Sequence, residues 1–347
     1  MIRSIFISAS ILFFVAQTVA QNTTYNKEST FTVAFYNVEN LFDTINNPDK
    51  IDEQFLPDSE KKWDTGKYNK KINDLGRVIS SININELPEL VGLCEIENQD
   101  VLKDLTKCRF LVKGNYAFVH EDSPDARGID VALMYRKNEF KYQKHKILQV
   151  GFSFEPETTT RDILYVSGTL NNNDELHVFV NHWSSRRGGQ QESEPKRLEA
   201  AKILRFEVDA ILKKNKKAKI VIIGDFNDMP VNKSLHEILN ATNNMRTNNY
   251  KELYNLMFNK SINGQGTYNY RGNWNMLDNI IVSKSLLKNK KGYIVSADGG
   301  QIFKKRWMLY DNVKTGQMTP AKTYGGPNYY GGISDHFPVY VILRNAE

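Results

Sequence analysis

The sequence encodes an α/β (α+β) chain with a sheet-on-sheet core and helices outside, and three observations lead there. Apolar runs of strand length recur from Phe31 to Leu343, whereas only two stretches repeat apolar residues at a helical period. Strands and helices do not alternate strictly, as they would in a doubly wound sheet, nor is the chain all strand. The composition is that of a folded globular protein: 347 residues, 40% hydrophobic, 25% charged and 11% aromatic, with 21 Gly and 10 Pro. Collagen, coiled coil and disordered polymer are excluded. No repeat of about 20–50 residues is visible, which argues against a solenoid or propeller.

In chain order, Met1-Ile2-Arg3, an apolar run from Ile5 to Ala16 and the small-residue exit Thr18-Val19-Ala20 form a secretory signal. The run is short for a membrane span, and an uncleaved N-terminal anchor is the alternative reading. Cleavage after Ala20 is expected, which makes residues 1–20 a signal peptide and 21–30 a polar leader. Residues 31–345 show no linker-like shift in composition and read as one domain, secreted or periplasmic, with no membrane span.

The first strand covers 31–38, and 46–66 is a loop rich in Asp, Pro and Lys. Over 68–83, Ile72, Leu75, Val78, Ile79 and Ile82 recur three and four apart, the mark of an amphipathic helix. Residues 90–94 are a buried strand, followed by strands at 129–135, 163–170, 176–180, 220–223, 277–282 and 337–343. A second helix is expected over 194–212, where Leu198, Ala201, Leu204, Val208 and Ile211 share a face.

The 46 basic and 40 acidic residues give a formal charge of +6, which suits a polyanionic substrate without identifying one. Two cysteines, Cys94 and Cys108, cannot build a disulfide framework or a cysteine zinc site. Cys94 lies in an apolar run and reads as a small buried hydrophobe, with a pairing to Cys108 left open by the spacing.

Polar, ligand-capable residues recur where strands begin or end: Asn37, Glu95, Asn181-His182, Asp225 with Asn227, Asp278, and Ser334-Asp335-His336. One such residue caps a turn. Six such ends are better explained by one edge of the sheets gathering them into a site. Carboxylate and amide oxygens without cysteine favour a hard divalent cation, and two imidazoles add a base and a donor for phosphate.

Gly224-Asp225-Phe226-Asn227, Ser334-Asp335-His336-Phe337-Pro338, the strand-end Glu95, Tyr36-Asn37-Val38 and His182 stand in an order that resembles the endonuclease/exonuclease/phosphatase superfamily, in its secreted bacterial-type nuclease branch. The resemblance runs from Phe31 to Leu343. It implies two packed mixed β-sheets flanked by helices in four layers, and a monomeric Mg²⁺-dependent phosphodiesterase, with Mn²⁺ or Ca²⁺ as alternative ions. Glu95 would be the principal metal ligand, with Asn37 and Asp335 beside it, directly or through water. His336, held by Asp278, would contact the scissile phosphate. Asp225 would orient or deprotonate the attacking water, and Asn227 would bond a phosphate oxygen. His182 would be the second phosphate-contacting imidazole; abasic-site enzymes tend to carry Tyr there. Asp130 is a candidate to orient His182.

Around this set, the loop Trp183-Ser184-Ser185-Arg186-Arg187-Gly188-Gly189 offers Arg186 and Arg187 as clamps for substrate phosphates. Arg161 stands between a site role and a surface ion pair. Residues 304–307, Lys-Lys-Arg-Trp, suit nucleic acid, and the Tyr/Gly-rich stretch 324–332 reads as a loop over the site. The run 213–219, rich in Lys, ends the second helix at the far end of a strand from Asp225 and reads as solvated. His120, His145, His177 and His236 lack an acid-rich setting and read as structural. The leading expectation is an exported nuclease cutting DNA or RNA, with no stable protein partner. Its alternatives are a phosphomonoesterase or lipid phosphodiesterase of the same superfamily, and a secreted binding protein that has lost its chemistry. A dinuclear metallophosphoesterase would need G-D-x-x-D and G-N-H, which the sequence lacks.

Overall fold

Strand β1 (Thr30–Leu41) is buried on both faces, and its side-chain alternation assigns the layers. Phe31, Val33 and Phe35 enter a core shared with a second sheet, while Ala34, Tyr36 and Val38 enter a core shared with helices. These positions come from a computed structural model that describes residues 30–288, 291–313 and 315–346. The expected signal peptide over 1–20 and the leader up to residue 29 lie outside the described residues.

The first sheet runs β14 (Gly292–Ile294), β20 (Val339–Ala346), β1, β2 (Leu90–Ile96), β4 (Asp130–Arg136), β3 (Tyr116–His120), with β15 (Gln301–Ile302) also on β20. The second runs β5 (Phe140–Leu148), β6 (Ile163–Leu170), β7 (Glu175–His182), β8 (Lys219–Asp225), β13 (Asp278–Ser283), β10 (Leu253–Asn255), β9 (Ala241–Thr242). Both are mixed: β1 is parallel to β2 and antiparallel to β20, and β8 is parallel to β7 and antiparallel to β13.

Helices α1 (Thr65–Ser80) and α2 (Gln99–Lys107) pack on the outer face of the first sheet, and α3 (Gln190–Lys214) on the outer face of the second. The order helix, sheet, sheet, helix is the expected four-layer sandwich. Three two-stranded ribbons belong to neither sheet: β11 (Tyr268–Tyr270) with β12 (Asn273–Asn275), β16 (Leu309–Asn312) with β17 (Gln317–Pro320), and β18 (Tyr324–Gly325) with β19 (Asn328–Tyr329).

Local chemistry explains where elements shift from expectation. Helix α1 starts earlier because Asp64 caps it, accepting from the Lys67 amide at 2.9 Å. Helix α3 starts at Gln190, before Pro195, although a proline reads as a first-turn residue. Strand β5 was not expected: its four consecutive exposed residues, from Lys141 to Lys144, hide an edge strand. Cys94 and Cys108 are both free and buried, one between the sheets and the other against the helices, so they do not pair. Among the described residues, no helix is long and apolar enough to cross a membrane.

Leu133 of β4 is fully buried between the sheets. Leu133→Ala is expected to cost about 2–5 kcal/mol of stability through lost burial and the cavity left behind. A lowered urea midpoint at unchanged slope checks this.

Candidate functional site

Topology brings the strand ends together. Parallel pairing puts the C-terminal ends of β1 and β2 side by side, and likewise those of β7 and β8. The antiparallel strands β20 and β13 bring their N-terminal ends to the same edge. In this register His182 pairs with Asp225, and Asp225 with Asp278. Gly224 has no room for a side chain, since a Cβ there would sit 2.5 Å from the Asn181 carbonyl oxygen. Close approach of β7 and β8 therefore requires this glycine.

Glu95 sits in a bulge, where the register of β2 with β4 shifts between Cys94 and Ile96, and its φ is +63°. A left-handed conformation is costly for a residue with a Cβ and persists only where its surroundings hold it. Here the Asn40 amide donates to Glu95 Oε2 at 2.8 Å, and Asn37 Nδ2 donates to Oε1 at 3.3 Å. Asn37 Nδ2 also reaches Asp225 Oδ2 at 3.1 Å, while its Oδ1 accepts from the Glu39 amide. In this arrangement Asn37 bridges the two carboxylates as a donor and does not present its oxygen to the site.

Asp225 Oδ2 is the hub. His182 Nε2 stands 3.8 Å from it and His336 Nε2 3.9 Å, both beyond hydrogen-bonding distance, and His182 Nε2 is 3.9 Å from Glu95 Oε1. Asp225 Oδ1 accepts from the Asn227 amide at 2.9 Å, and Asn227 Nδ2 donates to the Trp183 carbonyl at 3.0 Å. Asp278 Oδ2 lies 2.7 Å from His336 Nδ1 and also accepts from the Thr267 hydroxyl. Tyr268 covers the His336 ring, centroids 4.8 Å apart. The Ser334 hydroxyl donates to the Asn37 carbonyl at 2.7 Å and accepts from the His336 amide at 3.1 Å, tying β1 to the turn before β20.

These contacts push the two imidazoles apart. Burial would lower His336, but Asp278 and Asp225 outweigh it and hold the ring well above its ordinary range, as imidazolium. Burial lowers His182 well below its ordinary range, helped by Arg161, Arg127 and His336, so this ring is neutral. Burial raises the Asp225 carboxyl, with His336 opposing it. Two titratable groups forced in opposite directions is the pattern of an acid–base site.

Beneath the site lies a charged network that the sequence did not single out. Lys71, fully buried in α1, donates to the carbonyls of Glu39 and Ile333 at 2.7 and 3.0 Å and to the Thr323 hydroxyl at 2.7 Å. Glu39 Oε2 accepts from the Thr323 amide at 2.7 Å. Burial pushes up both Glu39 and Asp335; Asp335 acts on Glu39, and His336 and Glu95 act on Asp335 with opposite signs. The one sequence signal was a lysine set within the apolar stripe of α1.

Other residues differ from expectation. Asp130 does not pair with His182: its Oδ1 accepts from the Ser123 amide at 2.8 Å and its Oδ2 lies 3.4 Å from His120 Nε2. His182 Nδ1 has no hydrogen-bond partner among the described residues. His120 therefore does have an acidic setting, with Asp122 in the same cluster, and His145 Nε2 lies 3.1 Å from Glu121. Asp130 and Glu121 reach these rings across strands, out of reach of local spacing, whereas Asp122 stands only two positions from His120.

Arg161 is buried, bonded to Asp125 at 3.0 Å and to the Trp183 carbonyl at 2.6 Å, and is no surface ion pair. Arg186 spends its guanidinium on the chain, donating to the Asn227 carbonyl at 2.6 Å and Asn232 at 3.2 Å, while Arg187 is exposed. Lys304 lies over the rings of Trp274 and Phe337, and Trp307 lies under Arg77, so much of that motif packs on the protein itself.

Comparisons with known proteins add three kinds of finding. A family model described as "Endonuclease/Exonuclease/phosphatase family" matches residues 32–345. No curated protein matches. Solved structures share the fold at low identity. TDP2 of D. rerio, complexed with a single-strand DNA product, is 16% identical over 92% of this chain and 100% of its own, with a TM-score of 0.56. The mannosyl-6-phosphatase of Bacteroides thetaiotaomicron is 17% identical over 90% and 99%, with a TM-score of 0.55. The human Nocturnin catalytic domain, with bound sulfate, is 14% identical over 91% and 94%, with a TM-score of 0.53.

Proposed function

We propose, for a chain that belongs to the endonuclease/exonuclease/phosphatase family of phosphoester hydrolases, that this is a divalent-metal-dependent phosphodiesterase acting on nucleic acid. The observation that carries the reading is the convergence on Asp225 Oδ2 of one neutral and one cationic imidazole, beside Glu95.

The donor set fits a hard cation. Glu95 and Asp335 offer carboxylate oxygens, while Asn37 turns its amide hydrogens to Glu95 and Asp225 and Cys94 packs in the apolar core between the sheets. Burial raises the Asp335 carboxyl, His336 opposes that, and the like charge of Glu95 adds to it, a cost that a bound cation relieves. Such an ion, Mg²⁺ in our reading, supplies charge neutralisation at the phosphoryl oxygens.

The chain's own residues do the rest. Asp225, its carboxyl raised by burial, accepts the proton of the attacking water. The new P–O bond forms as the P–O bond to the leaving group breaks, and the departing oxygen takes a proton from solvent. His336, kept cationic by Asp278, donates from Nε2 to a phosphate oxygen. His182 contacts the phosphate from the opposite flank, and Asn227 presents its remaining amide hydrogen. The net charge of +6 and the exposed Arg187 favour a polyanionic polymer over a phosphomonoester. We further read the chain as one domain over 31–345, exported through its N-terminal signal and active as a monomer.

The test is a substrate panel of single- and double-stranded DNA, RNA, sugar phosphates, inositol phosphates and sphingomyelin, run with Mg²⁺ and with EDTA. Nucleic acid is expected to be cut with Mg²⁺, activity to fall to background in EDTA, and added Mg²⁺ to restore it. Turnover undiminished in EDTA contradicts the metal requirement. Cleavage confined to sugar phosphates or lipids contradicts the substrate.

A further inference from the structure

Two of the ribbons, β11–β12 and β16–β17, together with Tyr330 and Gly332 just after the third, wall a groove of ≈ 530 Å³ that opens beside the site and shares Asp335 with it. Tyr268, Tyr270, Tyr310 and Tyr330 line it, and Tyr268 is the ring that covers His336. Three of these rings are left in water, Tyr270 at 53%, Tyr310 at 52% and Tyr330 at 59% exposure. Apolar surface clustered this way beside a reaction centre marks a ligand surface. Arg271 and Lys322 also line the groove.

The walls are held in place by the chain. Arg271 at φ +51° and Gly272 at φ +90° make the tight turn of the first ribbon, the backbone form that a two-residue hairpin needs. Asn269 Nδ2 donates to Gln317 Oε1, and Gln317 Nε2 donates to the Gly272 carbonyl, each at 3.0 Å, locking the first ribbon to the second. Tyr310 of the second ribbon stacks on Tyr330, which follows the third, at 6.4 Å and 10°. A set of aromatic faces fixed beforehand loses little freedom on binding a flat ligand.

We infer that this groove holds unpaired nucleobases next to the scissile phosphate, so that the substrate is single-stranded nucleic acid; the inference rests on the nuclease reading. Bases stack on aromatic side chains through their faces, and those faces are free only outside a duplex. A duplex offers edges and backbone to such a surface. Arg271 and Lys322 supply cations to the backbone of the strand so held.

The experiment measures cleavage of a single-stranded oligonucleotide, the same sequence as duplex, and an abasic oligonucleotide of equal length. Anisotropy binding of each is measured in parallel in EDTA. Wild type is expected to prefer the single strand to the duplex by about tenfold or more in kcat/KM. Tyr310→Ala with Tyr330→Ala is expected to raise KM and the dissociation constant for the single strand about tenfold. The same pair should leave the abasic strand unchanged, and the corresponding Phe variants should bind as wild type. Equal losses on the abasic strand, or no loss anywhere, overturn the groove assignment. Tyrosine-dependent binding without cleavage keeps the groove and overturns the hydrolase reading. Cleavage indifferent to the tyrosines does the reverse. Neither binding nor cleavage overturns both.

Discussion

Glu95→Gln is expected to lower kcat/KM by about a thousandfold while leaving the fold intact, because it removes charge at the point where the site concentrates it. The substitution keeps shape and retains one acceptor oxygen for the Asn40 amide, now bonded at 2.8 Å. What it loses is the carboxylate that Asn37 bridges to Asp225 and that raises Asp335. Taking one negative charge out of a crowd of acids does not destabilise the sandwich. An unchanged far-UV spectrum and thermal midpoint with collapsed turnover is the expected pair of results. Near-normal turnover contradicts the role given to Glu95.

The second large effect falls on the Asp278–His336 pair. His336→Ala is expected to reduce kcat by about 10²–10⁴-fold with substrate binding largely kept, since it removes the cationic donor. Asp278→Asn keeps the volume but takes away the charge that holds the imidazolium, and approaches the same loss. Asp278 is a positioning residue here; it touches His336 at 2.7 Å and also accepts from Thr267. The double variant is therefore expected to be no worse than His336→Ala, because both changes disable one unit. Independent, multiplying losses would show that Asp278 acts elsewhere.

Both predictions use residues that can be read from the sequence, and the reason is local. A carboxylate, amide or imidazole at the end of an apolar run is visible without any coordinates, and Asn37, Glu95, His182 and Asp225 all stand that way. Residues that act across the fold were not visible. Lys71 and Glu39 are buried charges whose partners, Thr323 and Ile333, lie more than 250 positions away from Lys71. Asp130 of β4 meets His120 of β3 diagonally, since His120 pairs with Ala132; local spacing does not reveal this, and the candidate partner of His182 is engaged with another imidazole. The ribbons escaped notice because strands of two to four residues are too short to show a period. Glu95 shows the limit in a single residue: its type and place were legible, but the bulge and the φ of +63° that aim it were not.

Calorimetric titration of Mn²⁺ into the purified chain and into Glu95→Gln, with turnover measured on the same samples, tests most directly whether these strand ends form one metal-dependent centre. A saturable site in the wild type whose affinity and kcat/KM fall together in the variant is the result expected. Full Mn²⁺ affinity in Glu95→Gln, or wild-type hydrolysis with no Mn²⁺ or Mg²⁺ bound, would contradict it.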